Sequence, residues 1–195
     1  MKQDKNNTDA KKRILETAAR LFAEKGYGSV GVREIAAEAG VNISMISYYF
    51  NGKIGLLKSI ISDHFQEIQN VLIKSIDGEM DRESKLRNVV KSMVGLIREH
   101  PHRSRIAFIE FPLDVPELLE YKKELMRENR KFIKEIFHGK NPQCDKDVFE
   151  HANIIGPAFI SLIYSHFLTH RHKFDDTQTK YDEAYFDTYC EPISD

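Results

Sequence analysis

The sequence has few cysteines, no signal-peptide core and no long apolar run. Its two cysteines, Cys144 and Cys190, lie far apart and in no metal-ligand spacing, which favours free thiols in a reducing compartment. The longest apolar stretch, residues 153–168, is too short and too broken by polar groups to span a bilayer. The N-terminal residues lack the apolar segment of a signal peptide. We therefore expect a cytoplasmic protein with no membrane partner.

The motifs of several enzyme and metal-binding classes are missing as well. The sequence contains no P-loop, no GxSxG segment and no zincin or EF-hand spacing. His166 and His170 are four residues apart on a predicted helix, a spacing that can place two imidazoles on one metal ion. No carboxylate or thiol in the sequence offers a third ligand, and helix ends often carry histidine. We expect no enzyme, no cofactor and no metal, with metal binding by these two histidines as the open alternative.

The charge is spread unevenly along the chain, although the formal net charge is only −1. Residues 1–60 carry ten lysines and arginines against six acidic residues, a net of +4, and residues 61–195 carry a net of −5. A positively charged N-terminal region and a negatively charged remainder are consistent with a protein whose N-terminal region binds a polyanion. The bias is modest and only supports other observations.

Apolar residues recur at helical spacing along the whole chain, and no alternating strand pattern occurs. The predicted fold class is therefore all-α. The predicted helices cover residues 9–25, two short segments within 31–50, a helix from about 52 to beyond 73, then 86–97, 106–111, 116–139, 146–171 and 179–189.

Residues 31–50, GVREIAAEAGVNISMISYYF, are typical of two short helices joined by a tight turn. Gly40 is expected to end the first helix in the left-handed conformation, which glycine adopts without steric cost. Asn42 is a good N-cap for the second helix, and Glu34 stands where a capping-box partner of Gly31 would lie. The apolar positions predicted to anchor the second helix are Ile43, Ile46 and Phe50.

The other face of the second helix carries small and aromatic side chains with hydrogen-bonding tips. These residues are Ser44, Met45, Ser47, Tyr48 and Tyr49. The major groove of DNA admits such a helix, and hydroxyl groups can reach base edges or phosphates there. The pattern alone leaves an ordinary helical hairpin as the alternative, because helix–turn–helix geometry also occurs in proteins that never touch DNA.

Several linked motifs make the N-terminal region more specific. They are AARLFAEKGY at residues 18–27, IAAEAGV at 35–41, YYF at 48–50 and GK..LL at 52–57. In this order they resemble the DNA-binding domain of the TetR family of bacterial regulators, from about Lys11 to Ile61. The resemblance implies a three-helix helix–turn–helix domain at residues 9–52, followed by a larger helical ligand-binding and dimerisation domain at 53–195. The fourth helix is expected to bridge the two.

The chain departs from the family pattern at four positions. Gly31 stands where the family usually has Thr or Ser, and Ser47 where it usually has Tyr. Ser44 replaces a frequent Gly or Ala, and Ile54 replaces an acidic residue at the start of the fourth helix. These differences bear on the operator sequence more than on DNA binding itself.

The resemblance implies a ligand-responsive repressor that binds a near-palindromic operator as a homodimer. The residues expected to contact DNA are Gly31, Arg33, Ser44, Met45, Ser47, Tyr48, Tyr49 and Lys53. The dimer is expected to form through the helices at about 146–171 and 179–190. An unidentified small-molecule effector would bind among helices 4 to 8.

The residues considered for the effector pocket are Phe108, Phe111, Tyr121, Phe159 and Tyr164, with ordinary core packing as the alternative. Two other functions stay open at this stage. One is a helical adaptor that binds another protein through the hairpin face, and the other is an all-α enzyme with an incidental hairpin.

Overall fold

Helices account for most of the chain that the computed structural model describes, which is residues 2–76 and 82–140. They are α1 (Lys2–Lys25), α2 (Val32–Ala39), α3 (Ile43–Phe50), α4 (Lys53–Ile76), α5 (Arg82–Glu99), α6 (Pro101–Phe108) and α7 (Pro116–Lys140). No strand occurs in these two ranges, and the predicted all-α class is confirmed. The predicted helices at 146–171 and 179–190, and the dimer surface assigned to them, lie outside the described residues.

The described residues divide into two compact units. The first takes residues 2–65 and 102–131, and the second takes 66–76, 82–101 and 132–140. The first unit therefore contains α1 to α3, the start of α4, nearly all of α6 and much of α7. The domain boundary predicted after residue 52 stays a prediction.

One hydrophobic core fills the first unit. α1 contributes an apolar stripe at helical spacing, in which Ile14, Ala18, Leu21 and Phe22 are at most 1% exposed. The other helices add further side chains to this core, including Ile35, Ile46, Leu56, Leu57, Ile60, Ile61, Ile106 and Leu118. Burying one such side chain stabilises the fold by about 1.5–3 kcal/mol, so these helices hold the short hairpin helices in place.

The second unit has its own buried side chains. Ile68 of α4 and Met93, Val94 and Ile97 of α5 are each at most 3% exposed. His100 follows α5 and lies 3.7 Å from the Glu67 carboxylate, measured from Nε2 to Oε1.

The predicted bounds of three helices are wrong. α1 begins at Lys2 rather than residue 9, α5 covers 82–99 rather than 86–97, and α6 covers 101–108 rather than 106–111. Pro101 follows the end of α5 and starts α6, because the first position of a helix needs no N–H donor. α6 ends early because the amides of Ile109 and Glu110 both donate to the Arg105 carbonyl, at 2.8 and 3.0 Å.

Within the described ranges, no helix combines the length and the apolarity that crossing a membrane requires.

Candidate nucleic-acid interface

The turn between α2 and α3 has the predicted geometry. Gly40 adopts the left-handed conformation, with φ 64° and ψ 41°. Its amide donates to the Ala37 carbonyl at 3.2 Å, and the Val41 amide donates to the Ala36 carbonyl at 3.0 Å. These bonds satisfy carbonyls that the end of α2 would otherwise leave unpaired. The turn thereby fixes the direction in which α3 leaves α2.

Asn42 caps α3 as predicted. Its Oδ1 accepts one hydrogen bond from the Ser44 amide at 2.9 Å and another from the Ser44 hydroxyl at 2.8 Å. The Ser44 hydroxyl therefore donates its proton to Asn42. Its oxygen can still accept a hydrogen bond from a partner outside the protein, but it cannot donate one.

The start of α2 has no side-chain cap at Gly31, but a carboxylate faces the backbone there. Gly31 has an extended backbone and offers no side-chain cap. Glu34 accepts a hydrogen bond from Lys25 at 2.6 Å. This bond lowers the pKa of the Glu34 carboxyl, and the backbone N–H of Gly31 lowers that pKa further. Glu34 therefore takes the capping-box position predicted for it.

α3 has one buried side and one exposed side. Ile46 and Phe50 are 1% and 4% exposed, and Met45 and Tyr49 are partly buried against the same core. The solvent side presents four exposed residues, which we call the reading face: Ile43, Ser44, Ser47 and Tyr48. Their spacing of one and four residues places them on one stripe of the helix.

The prediction that Ile43 anchors α3 is wrong, because its side chain is 41% exposed. Helical spacing does place it near the side of Ile46 and Phe50. However, Ile43 is the first residue of α3, so no earlier turn of that helix lies beside it to complete its burial. Sequence reasoning missed it as a member of the reading face, although a recognition helix contacts bases chiefly through its N-terminal residues.

Three polar contacts join α1 to α2. Arg13 Nε donates to the Ala39 carbonyl at 3.3 Å. Arg20 pairs with Glu38, and Lys25 pairs with Glu34. Exposed ion pairs contribute little stability individually, but contacts spread along both helices fix their register.

The junction between α3 and α4 is tight. Asn51 has φ 57°, a conformation that asparagine tolerates better than most residues. Its amide donates to the Ser47 carbonyl at 3.0 Å. At Gly55, a Cβ atom would lie 1.7 Å from the backbone oxygen of Phe50. Only a residue without a side chain fits this approach, so the end of α3 and the start of α4 are in direct contact.

Lys53 begins α4, beside the first loop of the chain. Its Nζ lies 4.2 Å from the centroid of the Tyr27 ring and 5.9 Å from that of Phe22. Partial burial lowers the pKa of Lys53. The first turn of α4 contains no acidic residue, and the backbone N–H groups at a helix start attract anions. The Lys53 ammonium group and the N-terminus of α4 therefore lie next to each other. A phosphate group could bind to both at once.

The residues predicted to contact DNA lie on three neighbouring elements of the first unit. Gly31 and Arg33 are exposed at the start of α2, and Lys53 is half-buried at the start of α4. The predicted residues of α3 differ in exposure: Ser44, Ser47 and Tyr48 are exposed, whereas Met45 and Tyr49 are partly buried. Their contacts with DNA stay predictions.

The three described members of the predicted effector pocket pack against the core of the first unit. Phe108 stacks on Phe65 at 5.7 Å between ring centroids. The Tyr121 hydroxyl donates to the Lys58 carbonyl at 3.1 Å, and Phe111 is buried. A role in effector binding stays a prediction.

The other two pocket candidates, Phe159 and Tyr164, lie outside the described residues, as do His166 and His170. Among the residues that the structure does describe, no group of three or more metal-ligating side chains is close enough to hold an ion.

Comparison of the sequence with known families identifies the hairpin region. The sequence model described as "Bacterial regulatory proteins, tetR family" matches residues 14–60, which include α2, α3 and the start of α4. The chain is 32% identical over 100 residues to the probable transcriptional regulator YttP of Bacillus subtilis, an alignment that covers 51% of this chain and 48% of YttP. It is 27% identical over 190 residues to the transcriptional regulator LuxR of Vibrio harveyi, covering 92% of this chain and 88% of LuxR.

Solved structures show the same fold. The fatty acid degradation regulator FadR of Bacillus halodurans superposes with a TM-score of 0.71 at 20% identity, over 89% of this chain and 92% of that one. FadR of Bacillus subtilis in complex with stearoyl-CoA gives a TM-score of 0.65 at 21% identity, over 84% and 89%. These relatives are transcription regulators rather than enzymes. The helix–turn–helix region of this chain, matched at residues 14–60 by the family's own sequence model, is that of the TetR family of bacterial regulatory proteins.

Proposed function

We propose that this chain is a ligand-responsive repressor that binds a near-palindromic operator as a homodimer, with α3 in the major groove. The observation that carries the proposal is the reading face. Ser44, Ser47 and Tyr48 lie exposed on a helix whose opposite side is fixed in the core by Ile46 and Phe50. A recognition helix needs such a rigid, outward-facing row of side chains, because base contacts require fixed geometry.

The elements on either side of α3 supply the contacts to the DNA backbone. We assign phosphate contacts to Lys53 and the first amides of α4, and to Arg33 and the backbone next to Gly31 at the start of α2. The first N–H groups inside each helix have no partner within that helix and can face an anion. The excess of positive charge in residues 1–60 supports this orientation, since it adds a sequence-independent attraction to DNA.

The dimer and the effector belong to the same proposal. Two protomers joined through residues 146–171 and 179–190 would present two α3 helices to half-sites about 34–36 Å apart, one turn of DNA. A small molecule would release the operator only if it bound one dimer state more tightly than the other. FadR of Bacillus subtilis, a protein of this fold, holds stearoyl-CoA. We propose that this chain acts in the cytoplasm, where bacterial DNA lies.

Selection from a random pool of DNA tests the function directly. The full-length chain should enrich duplexes with a two-fold symmetric site, and sedimentation should show two protomers on each duplex. A protein that used the hairpin face to bind another protein would enrich no sequence. Its retention on random DNA would also lack the steep loss that rising salt causes for true DNA binders.

Lys53→Ala should weaken binding to the selected operator and flatten its salt dependence. Each lost phosphate contact reduces the slope of log K against log salt concentration by about one, so a dimer should lose about two. The measurement is a titration of operator affinity at several salt concentrations.

Lys53→Arg should keep most of the slope, because it keeps the charge. Lys74→Ala is the matched control, since Lys74 is a basic residue in the last turn of the same helix. The phosphate assignment is wrong if Lys53→Ala and Lys74→Ala leave the same slope.

A further inference from the structure

The recognition helix of this chain has no charged side chain. Its sequence from Ile43 to Phe50 is ISMISYYF. Guanine is usually read by Arg or Lys and adenine by Asn or Gln, each through two hydrogen bonds to one base edge. None of these four residue types occurs in α3, so the helix itself lacks the usual means of direct base readout.

The asparagine before α3 does not fill this role. Reading adenine requires both the oxygen and the nitrogen of the side-chain amide. Asn42 Oδ1 already accepts two hydrogen bonds, from the amide and the hydroxyl of Ser44. Breaking them would remove the cap of α3. Asn51 lies at the far end of the helix, whereas the N-terminal residues of a recognition helix contact the bases.

An apolar group occupies the position from which bases are usually read. Ile43 is the first residue of α3 and is 41% exposed, one of few large apolar side chains with that exposure among the described residues. The major groove contains one apolar group on its base edges, the C5-methyl of thymine. We infer that Ile43 is a specificity-determining residue that contacts a thymine methyl group in each half-site of the operator. This inference rests on the proposed function.

Ser44, next to Ile43 on the reading face, favours the same base pair. Its hydroxyl proton is donated to Asn42 Oδ1 at 2.8 Å, so its oxygen can only accept a hydrogen bond from DNA. The major-groove donors are the amino groups of adenine and cytosine. An acceptor beside an apolar side chain therefore fits an A·T pair, which offers both an amino group and a methyl group.

Replacing thymine by deoxyuridine in the selected operator tests the inference, because it removes only the methyl group and keeps the base pair. At one thymine position, the replacement in both half-sites should weaken binding about fifteenfold, and in one half-site about fourfold, the value of one buried methyl. Ile43→Ala should weaken binding to the thymine operator and should bind the thymine and uracil duplexes nearly equally.

Ile73→Ala is the matched control. Ile73 is 46% exposed on α4 but lies far along the chain from the reading face. This variant should bind like the wild type and keep the full sensitivity to uracil.

The inference is overturned if a symmetric operator is bound but no uracil replacement weakens binding. It is also overturned if Ile43→Ala remains as sensitive to uracil as the wild type. In both results the proposed function stands. If no symmetric operator is enriched at all, the proposed function fails and the inference fails with it.

Discussion

Phe50→Ala should destabilise the first unit by about 3–5 kcal/mol, the usual cost of removing a buried phenylalanine, and should abolish operator binding. Phe50 is 4% exposed, and Phe50 and Ile46 are the two buried residues of α3. Its ring also packs edge-on against Tyr49 at 6.1 Å between centroids. Without the Phe50 ring, α3, a helix of 8 residues, keeps only one of the two buried side chains that hold it against the core. Urea unfolding followed by circular dichroism measures the loss of stability.

Tyr48→Ala is the matched control, since it removes an aromatic ring from the same helix. Tyr48 is 79% exposed, and changes at such positions usually alter stability by no more than about 0.5 kcal/mol. This variant should unfold like the wild type yet bind the operator more weakly. If both variants lose the same amount of stability, α3 is not anchored by Phe50. If Tyr48→Ala binds the operator normally, the reading face is misassigned.

Gly55→Ala should also destabilise the first unit and weaken operator binding. The added Cβ would lie 1.7 Å from the Phe50 carbonyl oxygen, which belongs to the backbone and cannot rotate away. The start of α4 would have to move, at a cost of about 1–3 kcal/mol or more. Lys53 lies two residues before Gly55, so its position relative to α3 would change as well. Unfolding by urea and operator titration measure the two effects.

Gly95→Ala provides the comparison for the change from glycine to alanine. Gly95 lies in α5 and is exposed, and its new Cβ would come within 4 Å of no atom of the described residues outside the α5 backbone next to it. This variant should gain about 0.5–1 kcal/mol of stability, because alanine favours the helix over glycine. If Gly55→Ala gains stability in the same way, α4 does not begin against the Phe50 carbonyl.

The local structure of the hairpin could be predicted from its residues because each feature depends on a few neighbours. A helix end at Gly40 needs only a residue that tolerates a positive φ, and a cap at Asn42 needs only a side-chain oxygen two residues before Ser44. The buried residues of α1 likewise lie at helical spacing in the sequence. The boundaries of α6 were harder, because Pro101 can end one helix and begin the next, and only the packed chain selects between these roles.

The amino-acid sequence by itself determined the helical class, the turn between α2 and α3, and, through linked motifs, the family. Only the tertiary structure shows that Ile43 is exposed, that the Ser44 hydroxyl donates to Asn42, and that Gly55 lies against the Phe50 carbonyl. It also placed nearly all of α6 and much of α7 in the same unit as the hairpin. The physical reason is range: propensity and capping act within one or two turns, whereas exposure and close contact depend on atoms that only the folded chain brings together.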